Sequence, residues 1–320
     1  MTKWLLLALL LLLTLASPFL GSVAIDLGNI FDPDSVSSQI FFELRLPRLL
    51  LAFGAGAVLS LSGWLFQTLF RNGLMTPYTL GISGGAVLGT GIATVLGLNT
   101  LVIGISFGAL FGFAGALASV ALLLWLSRYI PDKEGNSLLL LGIALSFFFS
   151  ASLMVLLAVA SAMESHTILL YTMGSLSTLG YNEAVTVALG ASALLFFLYT
   201  KRFELAILGV NEEHARLKGI DTRRLTFLLL LLSSLVIGIT ISVTGPIGFV
   251  GLIIPHMVRR LSHLANHRLI LPVAFFGGLF LAACDTLSRL PQLQSEIPIG
   301  IVTAFIGGPF FIYLIIKGRK

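Results

Sequence analysis

Residues 72–127 read NGLMTPYTLGISGGAVLGTGIATVLGLNTLVIGISFGALFGFAGALASVALLLWLS, with no Asp, Glu, Lys or Arg anywhere in the run. A helix needs about 20 apolar residues to cross the hydrocarbon core of a bilayer. The run is long enough for two such helices, and Gly97-Leu98-Asn99 supplies the turn between them. No soluble core of this size could hide so much uncharged surface, so lipid is the solvent. Backbone groups that face lipid must be satisfied within the chain, which points to α-helices.

The same pattern extends to both ends. Hydrophobic residues make up 57% of the 320 residues, charged residues 10%, and the mean hydropathy is +1.02. A soluble domain has about 25% charged residues. Ten spans are predicted, at about 4–23, 48–69, 78–97, 101–127, 137–161, 184–200, 225–243, 247–264, 269–289 and 297–316. The break between the seventh and eighth is Thr244-Gly245-Pro246. The first span has the look of a signal peptide, with Lys3, an apolar run and then Leu15-Ala16-Ser17. Its length and the phase of the later spans favour a retained helix. The expected fold is all-α, a single transmembrane domain over residues 1–320.

Charge tests the threading. The net charge of +5 does not indicate nucleic acid, because the basic residues sit in short clusters between apolar runs. With both termini in the cytoplasm, only Arg45, Arg48 and Arg289 of the nineteen Lys and Arg fall outside. That bias fits the positive-inside rule for a bacterial inner membrane. Two segments are neither spans nor short turns. Residues 164–183, outside, hold the short apolar piece Ile168–Leu176 and suit a re-entrant or surface helix. Residues 203–224, inside, are the most charged part of the chain. They still read helically, with Leu205, Leu208, Ala215, Leu217 and Ile220 set among charged positions. The segment is either a solvated connector or a docking surface.

Several chemistries have no sequence support. The P-loop pattern Gly-x-x-x-x-Gly-Lys-Ser/Thr does not occur, so ATP hydrolysis by that route is excluded. The single Cys284 allows no internal disulfide, and no cofactor is implied. His263 and His267 could share a helix face, but Arg259, Arg260 and Arg268 beside them disfavour a metal. The span centres carry no Asp, Glu or Lys, which weighs against a proton relay. Asp285 and Arg289, four apart near the outer end of the ninth span, are placed for a local ion pair.

At these residues a family resemblance emerges. Arg45-Leu46-Pro47-Arg48, then Gly56, Gln67, Arg71-Asn72-Gly73-Leu74 and residues 80–86 (LGISGGA) resemble the first half of the FecCD-type permeases. Residues 245–256 (GPIGFVGLIIPH), 296–303 (EIPIGIVT) and 307–311 (GGPFF) resemble the second half. Asn72-Gly73-Leu74 and Cys284-Asp285 depart mildly from the usual Asn-Pro-Leu and Ala-Asp. The resemblance implies a type II ABC importer permease fold of ten helices. It also implies a homodimer, two copies of a separate cytoplasmic ATPase and a substrate-binding protein outside. It implies that residues 203–224 couple to the ATPase, with Gly209, Asn211, Glu212, Glu213, Ala215, Arg216 and Gly219 in the matching string. Arg45, Arg48 and Arg289 match positions that meet glutamates of the binding protein, and Ser83, Gly84, Asn136 and Ser137 match the inner gate. The bland alternative pairs the outer arginines with Glu43, Asp285 or lipid phosphates.

The expected function is therefore ATP-driven import of a metal chelate by alternating access. Almost uncharged spans suit a large chelate better than a bare ion, which needs fixed ligands. A ferric siderophore is expected first, haem or a corrinoid next, and an oxyanion as an outlier. The alternative is a stand-alone secondary transporter of a similar solute.

Overall fold

The computed structural model describes residues 2–21, 23, 25–98, 101–102, 105–129, 135–262, 264–290 and 296–317. In chain order its α-helices are α1 (Thr2–Ala16), α2 (Val36–Gln39), α3 (Leu46–Leu69), α4 (Ile82–Val95), α5 (Phe107–Leu126), α6 (Gly135–Val159) and α7 (Ala162–Met173). There follow α8 (Asn182–Thr200), α9 (Arg202–Val210), α10 (Glu212–Leu217), α11 (Thr222–Thr244), α12 (Val250–Ser262), α13 (Ile270–Arg289) and α14 (Ile299–Lys317). One helix lies in each of the ten expected spans. Six helical segments are apolar and long enough to cross a membrane on length and composition alone, while α4 and the apolar parts of α1 and α14 are shorter.

The boundaries differ from the sequence expectation for local reasons. The helix through the second span starts early. A short α2 and a π-helical stretch, Ile40–Arg45, lead directly into α3. Pro47 has no N–H to give the carbonyl of Glu43, four residues back. Gly180 N–H donates to that carbonyl instead, at 2.9 Å. Helix α4 begins only at Ile82, because Gly81 before it holds a left-handed φ of +80°. Helix α5 begins at Phe107, preceded by a two-residue antiparallel pairing of Leu101–Val102 with Ile105–Ser106. Of the expected turn, Asn99 lies outside the described residues.

Helix α3 is the centre of the bundle. It is buried over most of its length and is flanked by α8, α11, α12 and α13. Several close glycine crossings hold the bundle together, among them the following two. A Cβ on Gly63 would collide with the Gly251 backbone, which joins α3 to α12. A Cβ on Gly85 would collide with the Gly115 carbonyl, which joins α4 to α5. Small residues that let backbones meet are the usual means of joining helices in lipid, where no hydrophobic drive exists between them. Polar links add register at the core. Ser60 Oγ donates to Val273 O at 3.0 Å, and Gln67 Nε2 donates to Gly251 O at 3.0 Å.

Helix α12, at 13 residues, is too short to span the core alone, since a helix rises about 1.5 Å per residue. Its crossing is completed by the irregular segment 245–249. Non-helical backbone at membrane depth is tolerated only where protein buries it or it lines a cavity. Both conditions are met here, as described next.

Candidate functional site

A cavity of about 940 Å³ opens to one side of the bundle. Its lining comes from the turn before α4 (Thr76, Tyr78, Thr79), from α6 (Leu139, Ile143), from the end of α7 (Thr172, Met173) and from α14 (Gly300, Ile301, Ala304, Phe305, Phe311). Pro246, Gly248 and Phe249 of the irregular segment complete it with Leu252. Among the described residues no charged side chain lines it. Phe249 has a φ of +68°, an unusual state for a bulky residue, at the point where its side chain packs on Gly307 of α14. Such strain clusters at functional sites. Sequence reading quoted Phe249 inside a motif but gave it no role. Its backbone state leaves no trace in residue type, although the Gly248-Phe249 junction at the edge of a span was a signal.

Of the four residues matched to the inner gate, Ser83, Gly84 and Ser137 lie beside this cavity rather than in its described wall. Ser83 is buried in the first turn of α4, and Gly84 faces Phe149 of α6, whose Cβ would be 3.1 Å from an added Cβ. Ser137 is half-buried in the first turn of α6. Asn136 is on the same turn, but its side chain lies outside the described residues. The residues that wall the cavity are instead Thr76–Thr79, just before Ser83, and Leu139–Ile143, just after Ser137.

Two of the three outer arginines, Arg48 and Arg289, share one carboxylate, and Arg45 lies beside them. Asp285, 1% exposed, takes an ion pair from Arg48 at 2.9 Å and from Arg289 at 2.9 Å. Arg48 also pairs with Glu296 at 2.7 Å. Arg45 turns inward to donate to the carbonyls of Pro18 and Val23, and Arg289 donates to Leu20 O and Ser17 Oγ. Arg45 and Arg289 are therefore buried, and they tie the segment after α1 onto α3 and α13. Arg48 stands nearest the surface, its side chain 14% exposed. The Asp285–Arg289 pair anticipated from spacing is present. The Glu43 side chain forms no ion pair among the described residues. Glu296 was missed. It opens a quoted motif, but its proximity to Arg48, 248 positions away, has no signature in one sequence.

At the opposite end, residues 203–224 form most of α9, all of α10 and the start of α11. Asn211 caps α10, its Oδ1 accepting from Glu213 N at 2.7 Å and His214 N at 3.3 Å. Glu212 pairs with Arg216, and both meet Thr222 Oγ1 at 3.2 Å. Ala215 is fully buried, and Gly219 ends the helix with a φ of +79°. Gly209 seats α9 on Thr68, at the end of α3. Six of the seven matched residues thus build the segment, and the seventh, Glu213, is exposed. Leu217 belongs to the apolar positions of the helical pattern, with Leu205 and Leu208. It is 85% exposed, and Val210 is 79% exposed. The six-residue α10 turns away from α9 at Asn211, so the two helices do not share one apolar face.

A model of the FecCD transport family matches residues 9–317. The chain is 34% identical to the hemin transport system permease protein HmuU of Yersinia pestis, covering 98% of this chain and 95% of the relative. It is 32% identical to the molybdate import system permease protein MolB of Haemophilus influenzae, covering 96% and 90%. Among solved structures, one described as a metal-chelate type ABC transporter in an inward-facing conformation matches with a TM-score of 0.84. It is 28% identical over 99% of each chain.

Proposed function

The chain belongs to the FecCD transport family of ABC importer permeases, and from that premise we propose that two copies of it form the pathway for a metal chelate, a ferric siderophore first and haem or a corrinoid next. The observation that carries the reading is the cavity between α6 and α14. It holds about 940 Å³, has hydroxyls at Thr76, Tyr78, Thr79 and Thr172, and is open along one side. Polar groups at membrane depth belong against protein or water rather than lipid. A second copy that meets the first across this opening would turn two half-cavities into one central passage.

Substrate class follows from what the wall lacks. An oxyanion such as molybdate needs fixed donors or cations, and among the described residues the wall carries hydroxyls and apolar surface only. A chelate hides its metal and needs width rather than charge. The relatives' names include both hemin and molybdate, so the preference for a chelate stands on the cavity rather than on kinship.

The remaining parts follow the family plan. Energy comes from a separate ATPase that seats on residues 203–224, where Glu213, Val210 and Leu217 face outward. A binding protein delivers substrate at the opposite end, where a carboxylate would meet Arg48 before the buried Arg45 and Arg289. ATP-driven closure of the ATPases then moves α9 and α10, and through them α3. The termini are placed in the cytoplasm by the charge bias along the sequence.

The deciding experiment is uptake by a strain lacking this gene and by its complemented parent, with labelled ferric siderophore, haem, cobalamin and molybdate. Loss of one chelate, restored by the gene, is the expected outcome. Loss of molybdate alone would overturn the chelate assignment.

A further inference from the structure

We propose that the cytoplasmic end of the α5–α11 contact is a binding site for an anionic phospholipid. A cavity of about 550 Å³ opens there between the two helices, separate from the passage described above. Arg128, Arg223 and Arg224 line it. None of the three forms an ion pair among the described residues. Asp221 is the one acid in the wall among the described residues, and its Oδ1 already accepts the backbone N–H of Arg224 at 3.0 Å as the cap of α11. The site therefore carries surplus positive charge, with guanidinium groups suited to bidentate phosphate contacts.

The rest of the wall shows why the occupant is a lipid. Leu124, Phe227 and Leu230 lie on the membrane side of the arginines. Phe227 is 54% exposed, and Leu231 one residue beyond the wall is 42% exposed. The basic rim thus continues directly into surface that faces hydrocarbon. An occupant must join an anionic head to an apolar tail, and an inner-leaflet phospholipid does so. Trp125 and Tyr129 sit at the same level, with ring centroids 5.5 Å apart in an edge-on pair. Paired aromatics of this kind mark the headgroup depth of the bilayer. Basic pockets between helices on the cytoplasmic side hold anionic headgroups for these reasons.

Placing this end in the cytoplasm rests on the functional reading above, but the binding test does not. Arg223 also lines a neighbouring cavity with Glu212 and Arg216, so a lipid here would sit beside the coupling segment. For that reason the test leaves Arg223 intact. The full chain is purified in detergent, and native mass spectrometry follows retention of phosphatidylglycerol, phosphatidylcholine and inorganic phosphate. Wild type is expected to retain phosphatidylglycerol at about thirtyfold lower concentration than phosphatidylcholine. Two arginines near a charged surface account for a preference of about that size. The double substitution Arg128→Gln with Arg224→Gln should remove the preference, and Arg268→Gln, exposed at the same end outside the cavity, should keep it. Equal retention of the two lipids by wild type would overturn the site without any variant. So would an unchanged preference in the double variant, and displacement of the lipid by millimolar phosphate would assign the site to the free anion instead. ATPase co-purification, measured on the same samples, reports on the coupling assignment independently.

Discussion

Asp285 is the residue on which the outer end depends. It is buried and answers two guanidinium groups, Arg48 and Arg289, each at 2.9 Å. Removing one member of such a cluster leaves buried charge uncompensated, at a cost of about 3–5 kcal/mol. Asp285→Ala is expected to lower the thermal midpoint of the detergent-solubilised protein well below that of wild type. Asp285→Asn, which keeps an acceptor, should fall between them. A midpoint for the alanine variant equal to that of wild type would mean that Arg48 and Arg289 find other partners, Glu296 first. Sequence reading reached this pair through its spacing of four. It did not reach Glu296 or the carbonyls of Pro18 and Leu20, because contacts so distant in sequence exist only after the bundle closes.

Elements explain where one sequence is legible and where it is not. Spans were readable because twenty uncharged residues in a row admit few alternatives, and a helix fell in each of the ten. Their ends were less so. Gly81 and Phe249 start helices by entering the left-handed region, and Phe249 does so against the preference of its residue type. The coupling segment was legible as helix, but α10 is only six residues long, and a face cannot be read from fewer than two turns. Leu217, one of the apolar positions of the helical pattern, is exposed while Leu205 and Leu208 are buried. That exposure sharpens a prediction. Leu217→Asp with Glu213→Arg should reduce co-purification of the ATPase by about tenfold while leaving the thermal midpoint unchanged, because neither side chain packs within the chain. Retention of the ATPase at wild-type level would move the docking surface elsewhere on residues 203–224.

The whole molecule is asymmetric in its lateral faces. One side opens the 940 Å³ cavity beside α14, where Ile301, Phe305, Ile312 and Ile316 are all exposed, Phe305 by 82%. If a second copy covers that side, Phe305→Arg should convert a dimer in detergent to a species of 34.2 kDa, as read by light scattering. A dimer that survives this change would place the contact on another face. The glycine crossings bear on how such an assembly would move. A layer of side chains between helices is soft, since rotamers can hop and gaps can close. Where Gly63 meets Gly251 and Gly85 meets Gly115, backbone rests on backbone and nothing is left to compress. Helices joined in this way behave as struts. A push that enters at Gly209, where α9 bears on the end of α3, would arrive at the far end of the bundle almost undiminished. The compliance that transport requires must then come from the places without such a joint, above all the turn of α14 at Gly308 and Pro309, where a Cβ on Gly308 would meet nothing within 4 Å.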